Sequence, residues 1–316
     1  MTARRFFLLL LISGFPLTAH AGVSADDLPG DLVWYMHADL KQMRATESGS
    51  PLYDWFDDEV IVEINDEFGI NLSTEVDSVT AFADGNDGTV IIVEGPLTKD
   101  SQDKLLAMAA MQTEFNRLES GGKAYYHVIN NHDEDDDEDD GDSREHDGDP
   151  LDDFDDAAYL SFSVKNKAII TSDEEQMKEL LRSGGKVTGS KSHSGSMFVL
   201  TADRSFVQAG LRPDGMADDD DDWDSNILRN TEQAALLVSD SAGLVAVEAQ
   251  LVSTDPKMAA SIGGIVSGLI ALQAFNSELE PELKALLQNT RVDVTENVLS
   301  VSTVIDPELV ISVLDD

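Results

Sequence analysis

The chain has 316 residues, 62 acidic and 21 basic side chains, a formal net charge of −41 and no cysteine. Such an acidic chain repels nucleic-acid backbones and anionic lipid headgroups, because binding either one requires Lys or Arg to neutralise phosphate. The absence of cysteine excludes disulfides, thiol catalysis and Cys-ligated zinc. Apolar residues make up 41% of the chain, which is enough for a folded core.

Residues 1–21 have the features of a secretory signal peptide. Arg4 and Arg5 precede the apolar run 6–17, and Ala19-His20-Ala21 provides the small residues of a cleavage site. An uncleaved anchor helix is disfavoured, because the apolar run is shorter than the roughly 20 residues that span a bilayer. We therefore expect a periplasmic or secreted protein whose mature chain begins at Gly22.

The two halves of the mature chain resemble each other. Residues 34–39 and 198–203 are both apolar segments that end in Ala-Asp. Gly88, in the turn of one predicted hairpin, aligns without gaps with Gly243, in the turn of another. At the same offset Asp100 aligns with Asp255, and each is expected to open a helix, at about 101–118 and 256–275. This similarity indicates an internal duplication.

Hairpins alternating with helices predict the α+β class. We expect two tandem related units, each an antiparallel sheet with helices packed on it. The first unit would cover residues 22–188 and the second residues 196–316, with a linker at 189–195.

Several runs in both halves resemble a repeat of uncharacterised secreted bacterial proteins. These runs are residues 68–72, 76–79, 268–272, 281–283, 292–294 and 305–309. The resemblance covers most of the mature chain and implies a duplicated α+β fold in a family of unknown function. It implies no catalytic residue.

Two acidic runs interrupt the predicted units. Residues 131–156 hold 16 acidic residues and one base, and residues 214–224 hold seven acidic residues and no base. Such runs repel themselves and do not fold alone. We expect a disordered insertion at 131–156 and an acidic loop at 214–224.

Carboxylates at this density attract hard cations such as calcium. If Gly141 is placed at the glycine of an EF-hand loop, five acidic residues fall near ligand positions, and the second run offers three more. The candidate metal ligands are Asp136, Glu138, Asp140, Asp142, Asp147, Asp218, Asp220 and Asp222. Glu138 and Asp147 depart from the EF-hand pattern, and the flanking residues do not predict helices. Weak, diffuse calcium binding and a solvated tether without bound metal are the two alternatives.

Residues 258–277 carry no charge and contain Gly264 and Gly268, whose spacing lets helices approach closely. The Asp255-Pro256 start and the polar residues in this segment favour a soluble helix over a membrane span. We expect the helix to pack on another helix or a sheet, or to contact another subunit or an apolar ligand. Trp223, in the acidic loop, is another possible partner contact, unless its ring packs on its own unit.

The sequence contains no recognised catalytic motif. His37 and Asp39, which are two residues apart, are the best candidates for an acid/base pair. We therefore expect an exported, non-catalytic cell-envelope binding or scaffold protein without a cofactor, whose partner and oligomeric state the sequence leaves open. Divalent-cation binding through the acidic loops and an unrecognised envelope hydrolase are the alternatives.

Overall fold

The computed structural model describes residues 32–62, 72–84, 88–112, 114–129, 157–186, 195–209, 230–275 and 281–314. The chain divides into two compact units. The first unit consists of the residues up to Glu59 and the residues from Gly189 onward, and the second unit is Val60–Thr188. The predicted signal peptide and both acidic runs lie outside the described residues. The predicted domain boundaries and the linker at 189–195 stay predictions.

Strands and helices alternate along the chain. The elements up to residue 183 are β1 (Leu32–Ala38), α1 (Leu40–Ala45), α2 (Gly49–Phe56), β2 (Ser78–Asp84), β3 (Gly88–Glu94), α3 (Lys99–Gln112), β4 (Glu114–Ser120), β5 (Lys123–Ile129), β6 (Ala157–Ser161), β7 (Lys167–Thr171) and α4 (Glu174–Ser183). The later elements are β8 (Ser196–Asp203), α5 (Arg204–Ala209), β9 (Thr231–Ser241), β10 (Leu244–Ser253), α6 (Pro256–Ala274), α7 (Pro281–Gln288), β11 (Arg291–Thr295), β12 (Val298–Ile305) and α8 (Pro307–Leu314). A π-helical turn at Asp57–Ile61 continues α2.

Each unit contains a run of hydrogen-bonded strands. The strand order in the first unit is β11-β12-β10-β9-β8-β1, and in the second unit it is β2-β3-β7-β6-β5-β4. Within each unit the paired strands run antiparallel. The helices and the antiparallel pairing confirm the expected α+β class.

The best-defined helix ends follow from local chemistry. The Asp173 carboxylate accepts a hydrogen bond from the Gln176 amide at 2.8 Å and caps the start of α4. Gly184 ends this helix in the left-handed conformation that glycine adopts without a steric cost. These caps set the length of α4, which packs on β6 and β7 and buries Met177 and Leu181 completely.

The predicted helix at 101–118 is too long. Helix α3 ends at Gln112, and β4 begins at Glu114. Gly121 and Gly122, both at positive φ, form the turn to β5, and the ring of Phe115 stacks on Tyr126 with 4.8 Å between centroids. Hairpin pairing therefore outweighs the weak helical pattern of residues 114–118.

The core of the first unit lies between its sheet and the helices α7 and α8. Its buried members come from β10, α7 and β12: Val245, Val247, Leu286, Leu287 and Ile305. Leu309 and Val310 of α8 pack against them, as does Leu52 of α2. Burying such a side chain stabilises the fold by about 1.5–3 kcal/mol. This core places α2, from the start of the chain, in the same unit as the C-terminal helices.

A hydrogen bond between a buried serine and a half-buried aspartate makes a second link across this unit. Ser48 is fully buried just before α2. Its hydroxyl donates to the Asp240 carboxylate at 2.6 Å, and its amide donates to the same oxygen at 3.1 Å. The pair ties the turn between α1 and α2 to β9, 192 residues away in sequence.

We expect Asp240→Ala to lower the free energy of unfolding by about 1–3 kcal/mol, because it leaves two buried donors of Ser48 without a partner. Asp240→Asn, which keeps an acceptor oxygen, should lose less. Urea unfolding followed by circular dichroism measures both. Asp293→Ala, at an exposed position of β11, is the matched control. An equal loss in Asp240→Ala and the control would contradict the role assigned to the pair.

Candidate functional site

Helix α6 carries the two glycines that the sequence marks as a possible contact. Its first turn is fixed by Asp255, whose carboxylate accepts hydrogen bonds from the amides of Lys257 at 2.8 Å and Met258 at 3.0 Å. Pro256 occupies the first helical position, where the missing N–H costs nothing. The predicted helix start at Asp255 is confirmed.

The inner face of α6 packs on the sheet of its own unit. Ala259, Ile262 and Gly263 are buried, and the helix lies against β10, β11 and β12. A Cβ atom at Gly263 would stand 2.6 Å from Cγ2 of Val294 and 3.3 Å from Cδ1 of Leu299. Gly263 is therefore the residue that permits close packing of helix on sheet, although the sequence pattern drew attention to Gly264 and Gly268.

The opposite face of α6 is exposed and, apart from Ser261 and Ser267, carries small or apolar side chains after Lys257. Ala260, Gly264, Gly268 and Leu272 follow one another at intervals of four and form the outer row, and each is exposed. Among the described residues, no atom lies within 4 Å of a Cβ atom built at Gly264 or Gly268. Leu272 is 67% exposed, and Phe275, just after the helix, is 86% exposed. These are the highest values among the exposed large apolar side chains of the described residues.

The composition of α6 raises the question of a membrane. By length and composition alone, Pro256–Ala274 is able to cross a bilayer, and 17% of its apolar window is buried in the structure. The buried residues are those of the inner face, which packs on the sheet. The expectation of a packed helix therefore holds for one face of α6, while the outer row remains a surface without charged groups.

The other candidate site residues are not placed. Outside the described residues lie Trp223 and all of the candidate metal ligands, which are Asp136, Glu138, Asp140, Asp142, Asp147, Asp218, Asp220 and Asp222. Within the described stretches, no group of three or more His, Asp or Glu residues is arranged to hold a metal ion. Asp39, from the acid/base pair noted in the sequence, accepts a hydrogen bond from the Gln42 amide at 2.7 Å and caps α1.

A titratable cluster that the sequence did not reveal joins β5, β6 and α4. Tyr125, which is 2% exposed, donates a hydrogen bond to the Glu174 carboxylate at 2.6 Å. The Lys178 ammonium lies 3.2 Å from the same carboxylate. The rings of His127 and Tyr159 stack with centroids 4.6 Å apart. Alternation on β5, which puts Tyr125 and His127 on one face, was the available signal.

Four groups in this cluster have shifted pKa values: burial raises that of Tyr159, and the hydrogen bond to Glu175 raises that of Lys178. Burial, together with the hydrogen bond to Glu174, raises the pKa of Tyr125 to about 12. The hydrogen bond from Tyr125, assisted by Lys178, lowers the pKa of Glu174. At neutral pH the carboxylate is therefore ionised and occupied by donors. This arrangement pins the first turn of α4 to β5.

No protein-family model and no curated protein matches the chain. Solved structures of TP0453 are similar over 90% of this chain. Crystal form I has 10% sequence identity and a TM-score of 0.44, and 92% of that chain is covered. Crystal form III has 9% identity and a TM-score of 0.46, and 94% of that chain is covered. The functional conclusions rest on the residues of the present chain.

We expect Glu174→Gln to lower the stability by about 1 kcal/mol at neutral pH, since the carboxylate is partly exposed and screened by solvent. Because the folded pKa of Glu174 is lowered, its stabilisation is present above the ordinary Glu pKa of about 4.3. It is lost as the pH falls through the folded pKa. Urea unfolding of the wild type and the variant from neutral pH to about pH 3 measures this difference.

Glu179→Gln, at an exposed position of the same helix, is the control for that titration. A difference between wild type and Glu174→Gln that does not change with pH would contradict the role of the ionised carboxylate. A pH-dependent loss of stability in Glu179→Gln equal to that in Glu174→Gln would contradict this role as well.

Proposed function

We propose that this chain is an exported, non-catalytic binding or scaffold protein of the cell envelope, and that the outer row of α6 is its contact surface. The signal-like residues 1–21 support a periplasmic or secreted location. One observation carries the binding role: on a chain of net charge −41, the exposed face of α6 carries no charged side chain after Lys257.

The lack of charge distinguishes this face from the rest of the chain. Charged residues make up 26% of the chain, so an exposed face with none of them is a departure from the composition of its surroundings. Residues 258–275 contain no Asp, Glu, Lys or Arg. The centre of a protein interface is depleted of charge and enriched in apolar side chains, and contiguous exposed apolar surface marks interaction sites. The outer row, with Leu272 and Phe275, has that composition.

We also propose that the two halves arose by duplication. In the first half the hairpin β2–β3 is extended by β7 and then by β6. In the second half the hairpin β9–β10 is extended by β12 and then by β11. Gly88 and Gly243, aligned in sequence, have φ values of 83° and 85°. The order of pairing and the shared glycine conformation support two related halves. Among the described residues of the second half, no hairpin corresponds to β4–β5.

The titratable cluster supports a structural role for Glu174. A general base needs an available lone pair and a pKa near the working pH. The Glu174 carboxylate receives hydrogen bonds from Tyr125 and lies against Lys178, and its pKa is lowered. These properties suit an anchor for α4 better than a proton acceptor for a substrate.

Photo-cross-linking tests the contact surface. A benzophenone side chain placed at position 268 should form adducts in cells that export the protein, because this position faces open space on the outer row. The same side chain at position 107, an exposed alanine on α3, is the matched control and should form none. Adducts are detected by immunoblot and their masses measured. No adduct from position 268, or equal adducts from both positions, would contradict the proposed surface.

A further inference from the structure

We infer that the occupant of the outer row is the same row on a second copy of this chain, with the two α6 helices antiparallel. This inference rests on the proposed function, since it uses the same contact surface and names the partner. Most closed homodimers have two-fold symmetry, in which one patch must complement itself. The outer row meets that requirement.

The complementarity follows from the spacing along α6. A two-fold axis at the level of Val266 places Gly264 of one copy opposite Gly268 of the other. It also places Ala260 opposite Leu272, so the smaller side chain at one end of the row meets the largest at the other. Two glycines at the centre allow the backbones to approach closely, and no atom in the described part of the chain lies within 4 Å of a Cβ atom built at either one.

The ends of the helix match in the same way. The axis brings Lys257, which is exposed at the start of α6, opposite Phe275, which is 86% exposed. An ammonium group over the face of an aromatic ring is attractive, by about 0.5–1 kcal/mol at an exposed site. The most exposed large apolar side chain of the described residues thus gains a cationic partner in each half of the pair.

Electrostatics selects this face among those available for self-association. Two copies that each carry a charge of −41 repel each other wherever their acidic side chains approach. Residues 258–275 contain no acid, so a contact through this helix keeps like charges apart. The remaining repulsion acts over longer distances and is screened by salt. Self-association should therefore strengthen as salt is added.

The area that the outer row buries limits the stability of the dimer. A 19-residue helix is about 28 Å long and about 10 Å wide, so the contact buries roughly 600 Å² over both copies. Stable interfaces bury about 1,200–2,000 Å². The row alone therefore gives a weak, reversible dimer that forms at high local concentration.

Sedimentation equilibrium of the mature chain tests the pairing at about 10 µM to 1 mM, where contacts of this size are populated. We expect reversible dimers whose Kd falls between about 0.05 and 0.5 M salt. Leu272→Ala removes the large side chain, and Ala260→Leu sets two leucines against each other. Each should raise Kd about tenfold. The double variant A260L/L272A restores one large and one small partner at each contact, and its Kd should return to within about threefold of wild type.

Ala107→Leu on α3 is the control and should leave Kd unchanged, and circular dichroism verifies that every variant is folded. A chain that stays monomeric across the range would overturn the pairing. A double variant in which the two single effects on Kd simply combine, without recovery, would also overturn the pairing. If phosphatidylcholine vesicles bind the wild type and release Leu272→Ala without recovery in the double variant, the row contacts lipid instead of a second copy.

The cross-linking masses separate this inference from the proposed function. Adducts from position 268 at twice the chain mass support self-pairing. Adducts from position 268 to other proteins alone would overturn self-pairing and keep the outer row as a binding surface. The absence of any adduct would count against both.

Discussion

The pairing of β1 with β8 is the constraint on which the first unit depends. Trp34 lies opposite Ala202 and Ala38 opposite Phe198 in an antiparallel ladder. The chain leaves this ladder at Asp39, which caps α1, and is held again where Ser48 donates to Asp240. Residues from the two ends of the chain therefore form one unit, and its sheet is the platform on which α6 packs.

Local chemistry made part of this structure predictable. Asp255-Pro256 predicted a helix start that the structure confirms. The strand β4 was not predictable in the same way. Glu114–Ser120 mixes charged and apolar residues without clear alternation, and its conformation depends on pairing with β5. A partner elsewhere in the chain decided the outcome there.

The contact surface was predictable in composition but not in orientation. Because the whole of α6 lacks charged residues after Lys257, its hydropathy pattern does not mark which side meets the sheet. The sequence therefore singled out Gly264 and Gly268 for close packing, whereas Gly263 fills that role against Val294 and Leu299. The Tyr125–Glu174 hydrogen bond was hidden for another reason, since it joins residues 49 positions apart.

The charged side chains of β4 and β11 oppose aggregation of this chain through its strands. At one end of each unit's strand order, β4 carries Arg117 and Glu119, and β11 carries Arg291 and Asp293. Charged side chains on an outer strand oppose the addition of a strand from another molecule, which would otherwise grow into open-ended fibrils. In the inferred pairing of two copies through the outer row, these charged side chains oppose further growth by strand addition.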